Sequence, residues 1–253
     1  MDVLKTILWD VDGTLADTER DGHRVAFNTA FEKAGLQRRW DELCYGDLLK
    51  VTGGKERIRC DIQQGGMPPL SDADIVALHA DKTVCYQALI AEGRIPLRPG
   101  VRRLLEEVRD AGIIQGVATT TTPAALHALI EHCLGHEWFD IFAVLAAGDI
   151  VANKKPAPDV YTYALNQLGA DPNATLAMED SENGTLSAKA AGLRCVVTVN
   201  AYTKKQNFSD ADLVVSELGD KTNIQVLANP HQLNNLSQVR LHHLQALFDP
   251  SIV

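Results

Sequence analysis

Hydrophobic and polar positions follow two different rhythms along this chain. Residues 3–9, Val-Leu-Lys-Thr-Ile-Leu-Trp, form a short apolar run that ends at Asp10, which predicts a buried parallel strand. Gly13 breaks it. From about 17 to 95 the texture is helical with polar joints. Val25, Phe27, Phe31 and Leu36 belong to one helix that Gly35 ends, and the Gly-Gly pairs at 53–54 and 65–66, with Pro68-Pro69, punctuate the rest. At Pro99-Gly100 the rhythm changes. Val101, Leu104, Leu105 and Val108 follow the i, i+3, i+4, i+7 rule, and Gly112 closes that helix. A strand over 113–118 follows, then a helix through Leu126, Leu129, Ile130 and Cys133 and a strand over 142–146. A helix from Asp159 stops at Gly169; a strand over 174–178, a helix over 181–191 and a strand over 194–199 complete the series. Such alternation predicts right-handed βαβ units and a parallel sheet. The tail from 229, rich in Asn, Gln and His around Leu233, Leu236, Val239, Leu241, Leu244 and Leu247, predicts a terminal helix and carries no evident chemistry.

The fold class expected is therefore α/β: a Rossmann-like parallel-sheet core over residues 1–16 and 97–253, with an α-helical cap subdomain inserted after the first strand over 17–96. A chain of 253 residues suits one large domain and one small one. Apolar residues make up 45% and charged residues 23%, which excludes a disordered chain or a coiled-coil rod. Twenty-four Lys and Arg against thirty-three Asp and Glu leave a net charge of −9, so no overall field favours nucleic acid or an anionic membrane, and any phosphate-binding patch must be local. The five cysteines contain no Cys-x-x-Cys pair and read as reduced thiols. The start is too short and mixed for a secretory signal, and no stretch reaches the ~18 apolar residues of a membrane span. The expected location is the cytoplasm; an organelle lumen stays open, since a removed transit peptide leaves no trace.

Ligands of open α/β sheets sit beyond the carboxyl ends of the strands. Four such places carry polar groups here. Asp10 and Asp12 follow the first strand; Thr119, Thr120 and Thr121 follow the second; Lys154-Lys155-Pro156 precede the helix at Asp159; Glu179 and Asp180 close a further strand. Four carboxylates brought together repel by several kcal/mol per pair at ~4 Å, which a divalent cation relieves, and oxygen-only ligands favour Mg²⁺. Asp10, Asp12, Glu179 and Asp180 are the expected ligands. Adding Lys155 and the hydroxyl of Thr119 makes a phosphoryl-transfer site. Asp10 is positioned to attack phosphorus and form an aspartyl-phosphate, and Asp12 to act as general acid and base.

Asp10-Val-Asp-Gly-Thr14, the Thr119 strand end, Lys155 before Pro156-Ala-Pro-Asp159, and Glu179-Asp180-Ser-x-x-Gly resemble, in order, the four motifs of the haloacid-dehalogenase superfamily. The second aspartate resembles its phosphatase and phosphomutase branch. Asp17-Thr18-Glu19, the run Thr52-Gly53-Gly54-Lys55-Glu56-Arg57-Ile58, Ala118-Thr-Thr-Thr121 and Lys154-Lys-Pro-x-Pro-Asp159 are similar to the CbbY-type phosphatases, which hydrolyse xylulose-1,5-bisphosphate, an inhibitor of Rubisco. That resemblance implies a monomer with a small phosphorylated sugar as its partner. It also implies a cap loop in which the glycines let backbone approach the ligand and Lys55 and Arg57 neutralise a distal phosphate. It implies Glu19 on the sugar hydroxyls, with Thr52, Glu56, Thr119, Thr120, Thr121 and Lys155 also binding substrate and Lys82 and Arg98 lining the cap face. Three alternatives stay open: a β-phosphoglucomutase-like hexose-phosphate mutase, a generic phosphoglycolate-type phosphatase, and a non-catalytic phosphosugar-binding protein on the same scaffold. His23 reads as structural, Trp9, Trp40 and Trp138 as core, and His242-His243 as lacking a third metal ligand.

Overall fold

The structure is a computed structural model that describes residues 3–51, 53–148, 150–220 and 223–249. Strand β1 (Thr6–Trp9) is followed by a π-helical turn at Thr18–His23 and helices α1 (Arg24–Lys33), α2 (Glu42–Leu48), α3 (Gly54–Gln63) and α4 (Asp72–Ala91). Then come α5 (Val101–Asp110), β2 (Ile114–Ala118), α6 (Pro123–Cys133), α7 (Trp138–Ile141), β3 (Phe142–Ala146) and α8 (Asp159–Leu168). The chain continues through β4 (Thr175–Glu179), α9 (Glu182–Ala190), β5 (Arg194–Thr198), β6 (Leu213–Val215), β7 (Val226–Ala228) and α10 (Leu241–Ala246). It divides into two compact units, Met1–Asp17 with Pro96–Val253, and Thr18–Ile95.

The first unit is built on one seven-stranded sheet in the order β3-β2-β1-β4-β5-β6-β7. All pairs are parallel except β6 with β7. The central strands are apolar on both faces because helices cover both, as parallel crossovers require. On one face Leu8, Ala118, Ala177 and Val197 meet Val160, Tyr161 and Ala164 of α8 and Ala188 of α9. Helix α5 buries the expected quartet Val101, Leu104, Leu105 and Val108. β6 and β7 lay outside the sequence expectation: each has three residues, and Val226 and Leu227 are exposed, so neither carries a readable alternation.

Every regular element among the described residues of the second unit is a helix. Its centre is aromatic: Phe27 and Phe31 of α1 each lie 4.8 Å from Trp40, ring centroid to centroid. Trp40 is fixed by polar bonds as well. It exchanges two hydrogen bonds with Asn28, at 2.8 and 2.9 Å, and its Nε1 donates to the buried Asp61 at 2.8 Å. Arg38 completes Asp61 with a two-pronged pair at 2.6 and 2.8 Å. Ser71 and Asp74 form the capping box that starts α4. Among the described residues no helix is long and apolar enough to cross a membrane.

Candidate active site

Strand β1 delivers the first carboxylate. Asp10 follows Trp9, its N–H continues the ladder to Met178 O at 3.0 Å, and its side chain is buried. Neighbouring β4 ends at the same level, in the register Trp9↔Met178, so Glu179 and Asp180 emerge beside it. Carboxylate oxygens of Asp10, Glu179 and Asp180 lie within 4.8 Å of one another. On the other side, β2 ends at Ala118 and Thr119 follows it, its N–H reaching Ala146 O at 2.9 Å.

Lys155 enters from the loop before α8. Its Nζ donates to Asp10 Oδ1 at 2.7 Å, Glu179 Oε1 at 2.6 Å and Ala118 O at 2.9 Å, so all three ammonium protons have acceptors. Burial works against this ammonium, but the charges and hydrogen bonds of Asp10 and Glu179 outweigh it and hold its pKa above the ordinary lysine value. Glu179 is 0% exposed. Its Oε1 also accepts the Tyr161 hydroxyl at 2.6 Å, and its Oε2 takes the Asp180 N–H at 3.3 Å. Asn200 Nδ2 donates to Asp180 Oδ2 at 2.6 Å.

The electrostatics are unbalanced. Three buried carboxylates face one ammonium. Burial raises the Asp10 carboxyl from 3.8 to about 6, with Lys155 opposing and Glu179 reinforcing. Asp180 is pushed well above the carboxylate range by burial, then by the charges of Asp10 and Glu179. Such a set suits a hard divalent cation: its donors are carboxylate oxygens, and a cation of charge two would offset the excess. Asp10 and Asp180, with Glu179, would hold it.

The Asp12 carboxylate stands apart from that trio. It accepts the Thr121 hydroxyl, and Thr121 in turn takes the Thr119 hydroxyl at 3.0 Å. Thr119 and Thr121 are buried and Thr120 is exposed. Of the cap residues, Glu19, Tyr45 and Arg57 form one group: Tyr45 donates to Glu19 at 2.5 Å, Arg57 Nη1 to the Tyr45 oxygen at 3.1 Å, and Arg57 Nη2 lies 3.6 Å from Glu19. Lys55 and Glu56 are exposed, and Glu56 meets Arg59 at 3.3 Å. Lys82 is buried, 2.9 Å from His23 Nδ1 and over the rings of Phe27 and Tyr86. Thr52 lies outside the described residues. The two loop glycines have different reasons. Gly53 sits at φ +98°, whereas a Cβ on Gly54 would fall 2.5 Å from His79. Arg98, read from sequence as lining the cap face, is instead buried in the first unit. Tyr161 and Asn200 escaped the sequence reading. Tyr161 lies two residues beyond Asp159 on an inward helix face, where a tyrosine reads as core, and Asn200 meets Asp180 only through the β4–β5 pairing.

Adjacent parallel strands ending in a nucleophile-competent aspartate, a threonine and an acidic pair, with a lysine bridging two carboxylates, define a class. The chain belongs to the haloacid dehalogenase-like hydrolases, whose family model matches residues 4–192. Within that family it is similar to the CbbY proteins. It is 46% identical to CbbY of Cereibacter sphaeroides over 231 residues, covering 89% of this chain and 99% of that one. With CbbY of Rhodobacter capsulatus the identity is 48% over 215 residues, covering 85% and 94%. The crystal structure of a mutant CbbY from Rhodobacter sphaeroides in complex with xylulose-1,5-bisphosphate superposes with a TM-score of 0.78 at 45% identity, over 85% of this chain and 94% of that one.

Proposed function

We propose that this chain is a Mg²⁺-dependent sugar-bisphosphate phosphatase whose substrate is xylulose-1,5-bisphosphate. The observation that carries the reading is Lys155 joined at once to Asp10 and Glu179, in a chain so similar to CbbY. In the first step an Asp10 oxygen forms a bond to phosphorus, the ester P–O bond breaks, and Asp12 protonates the departing sugar oxygen. In the second, Asp12 takes a proton from water, whose oxygen attacks phosphorus and frees Asp10 and inorganic phosphate. As Asp10 turns to phosphorus, the Lys155 N–H that it accepted donates instead to a phosphoryl oxygen, and the ammonium keeps its proton. Thr119 offers the facing hydroxyl, and Thr121 orients Asp12. The bound cation supplies charge neutralisation, so that anionic Asp10 can approach an anionic ester.

Phosphate release measured over a panel of sugar phosphates tests this directly. Xylulose-1,5-bisphosphate is expected among the best substrates by kcat/KM, and a poor rank would overturn the assignment. Asp10→Asn is expected to abolish turnover. Product analysis with β-glucose-1-phosphate plus a bisphosphate activator is expected to yield free phosphate and no glucose-6-phosphate.

A further inference from the structure

Arg98 stands just past the point where the chain re-enters the first unit, and its side chain is buried. Its backbone N–H donates to Leu15 O at 2.8 Å. The guanidinium then reaches three separate segments: the loop after β1, the end of β5 and the residue after β6. Nη1 donates to the Gly13 carbonyl, to Thr198 O at 2.8 Å and to Thr198 Oγ1 at 3.0 Å. Nη2 donates to Val199 O at 2.7 Å and Ser216 O at 2.9 Å, and Nε lies 3.4 Å from Asp17 Oδ1. Burying a guanidinium is costly, and an apolar side chain of similar volume would fill a purely structural site at less cost. What the acceptors have in common points to a different reason.

Two of them flank Asp180. Gly13 is held at φ +88°, and a Cβ there would lie 2.2 Å from Asp180 Oδ2. Asn200, which follows Val199, donates to that same oxygen at 2.6 Å. One rigid fork therefore grips the peptide on each side of the carboxylate, and Gly13 is also the neighbour of Asp12. Lysine, with a point charge on a flexible stem, cannot reproduce that fan of bonds.

We propose that Arg98 is a positioning residue: it fixes the Asp12–Gly13 turn and the Val199–Asn200 strand end so that Asp180 is placed to hold the cation and Asp12 to move the proton. The proton-transfer half rests on the phosphatase reading; the cation half does not. The test compares wild type, Arg98→Lys and Arg98→Gln by circular dichroism, steady-state kinetics and calorimetric titration with Mg²⁺ alone. Folded Arg98→Lys is expected to lose at least about tenfold in kcat with KM within about twofold, as misplacement of a reacting group does. Its Mg²⁺ dissociation constant is expected to rise about fivefold or more, and Arg98→Gln to be worse on both counts. Unchanged kcat and Mg²⁺ affinity, whatever the melting temperature does, would overturn the proposal. So would a rise in KM alone, or failure of both variants to fold. If wild type hydrolyses no sugar phosphate, the phosphatase reading fails, and the Mg²⁺ titration still decides: weakened binding supports Arg98 as a positioning residue, and equal binding overturns it.

Discussion

Tyr161 places its ring 5.0 Å from Lys155 Nζ and its hydroxyl 2.6 Å from Glu179. On the opposite side of Glu179, a Cβ at Gly184 would fall 1.9 Å from Oε2, so α9 approaches only because that residue has no side chain. Glu179 is thus a buried charge enclosed by named groups, and removing one donor has a defined cost. Tyr161→Phe keeps the ring and deletes the hydroxyl. A hydrogen bond to a charged group contributes about 1.5–3 kcal/mol, so the melting temperature is expected to drop by about 3–10 °C in scanning calorimetry. No drop would mean that the bond contributes nothing. Asp10 makes the opposite prediction. Its folded pKa of about 6 stands above the ordinary 3.8, so the native state binds this proton more tightly than the unfolded chain. Its contribution is full below pH 3.8 and is lost as pH rises through about 6. The loss is about 3 kcal/mol in cation-free protein. In EDTA, the stability of Asp10→Asn relative to wild type is therefore expected to rise from pH 4 to pH 7, as denaturant titrations can show; a constant difference would refute it.

Elements are joined at Asp212, which stands immediately before β6. One oxygen accepts the Cys195 N–H of β5 at 2.8 Å and Lys189 of α9 at 3.0 Å; the other meets His231 at 3.1 Å. Burial raises its pKa, but the Cys195 bond, Lys189 and His231 together lower it below the ordinary carboxylate value. A depressed acid stabilises the fold above its unfolded pKa and loses that contribution as pH falls through the folded value. Asp212→Asn is expected to lose about 1–3 kcal/mol at pH 7, with the difference closing towards pH 3, measured by urea unfolding at both. Nothing in the sequence around Asp212 announces this role, because its partners lie 17, 19 and 23 residues away. The same physics separates what could be read from what could not. β1, α5 and α8 were legible because an apolar run or a 3.6-residue stripe ends in a glycine or a charged residue, and β5 because its apolar run follows Gly192. β6, β7 and the four-residue α7 were too short to show a period. At the site, residues that terminate strands could be grouped in advance, since a parallel sheet brings its carboxyl ends together. Tyr161, Asn200 and the Arg98 fan could not, because each depends on which strands are neighbours and on side-chain direction.

Net charge is a property of the whole molecule, and −9 is an awkward value for the multiply anionic ester proposed as its substrate. Three of the thirty-three acids, Asp10, Glu179 and Asp180, converge where the cation would sit. The field that draws substrate in must then come from a small number of basic residues, and most of those near candidate positions are already engaged. Lys155 has three acceptors, Arg57 lies against Glu19 and Tyr45, and Lys82 is bonded to His23. Lys55, at the start of α3, is exposed. A flexible, hydrated ammonium in that position suits recognition of a second phosphate, whose charge a monophosphate lacks. Lys55→Ala removes one exposed charge, worth about 0.5–1.5 kcal/mol against a dianion, which converts to about 2–10-fold in KM for a bisphosphate. The kcat for the bisphosphate is expected to stay within about twofold, because a contact made equally in the ground and transition states lowers KM alone. The KM for monophosphates is expected to stay unchanged. Raising ionic strength should shrink the bisphosphate difference, since an exposed pair is screened over about 8–10 Å. Equal effects on mono- and bisphosphates, or a difference that survives high salt, would remove Lys55 from the second-phosphate role and return the whole of bisphosphate selection to other residues.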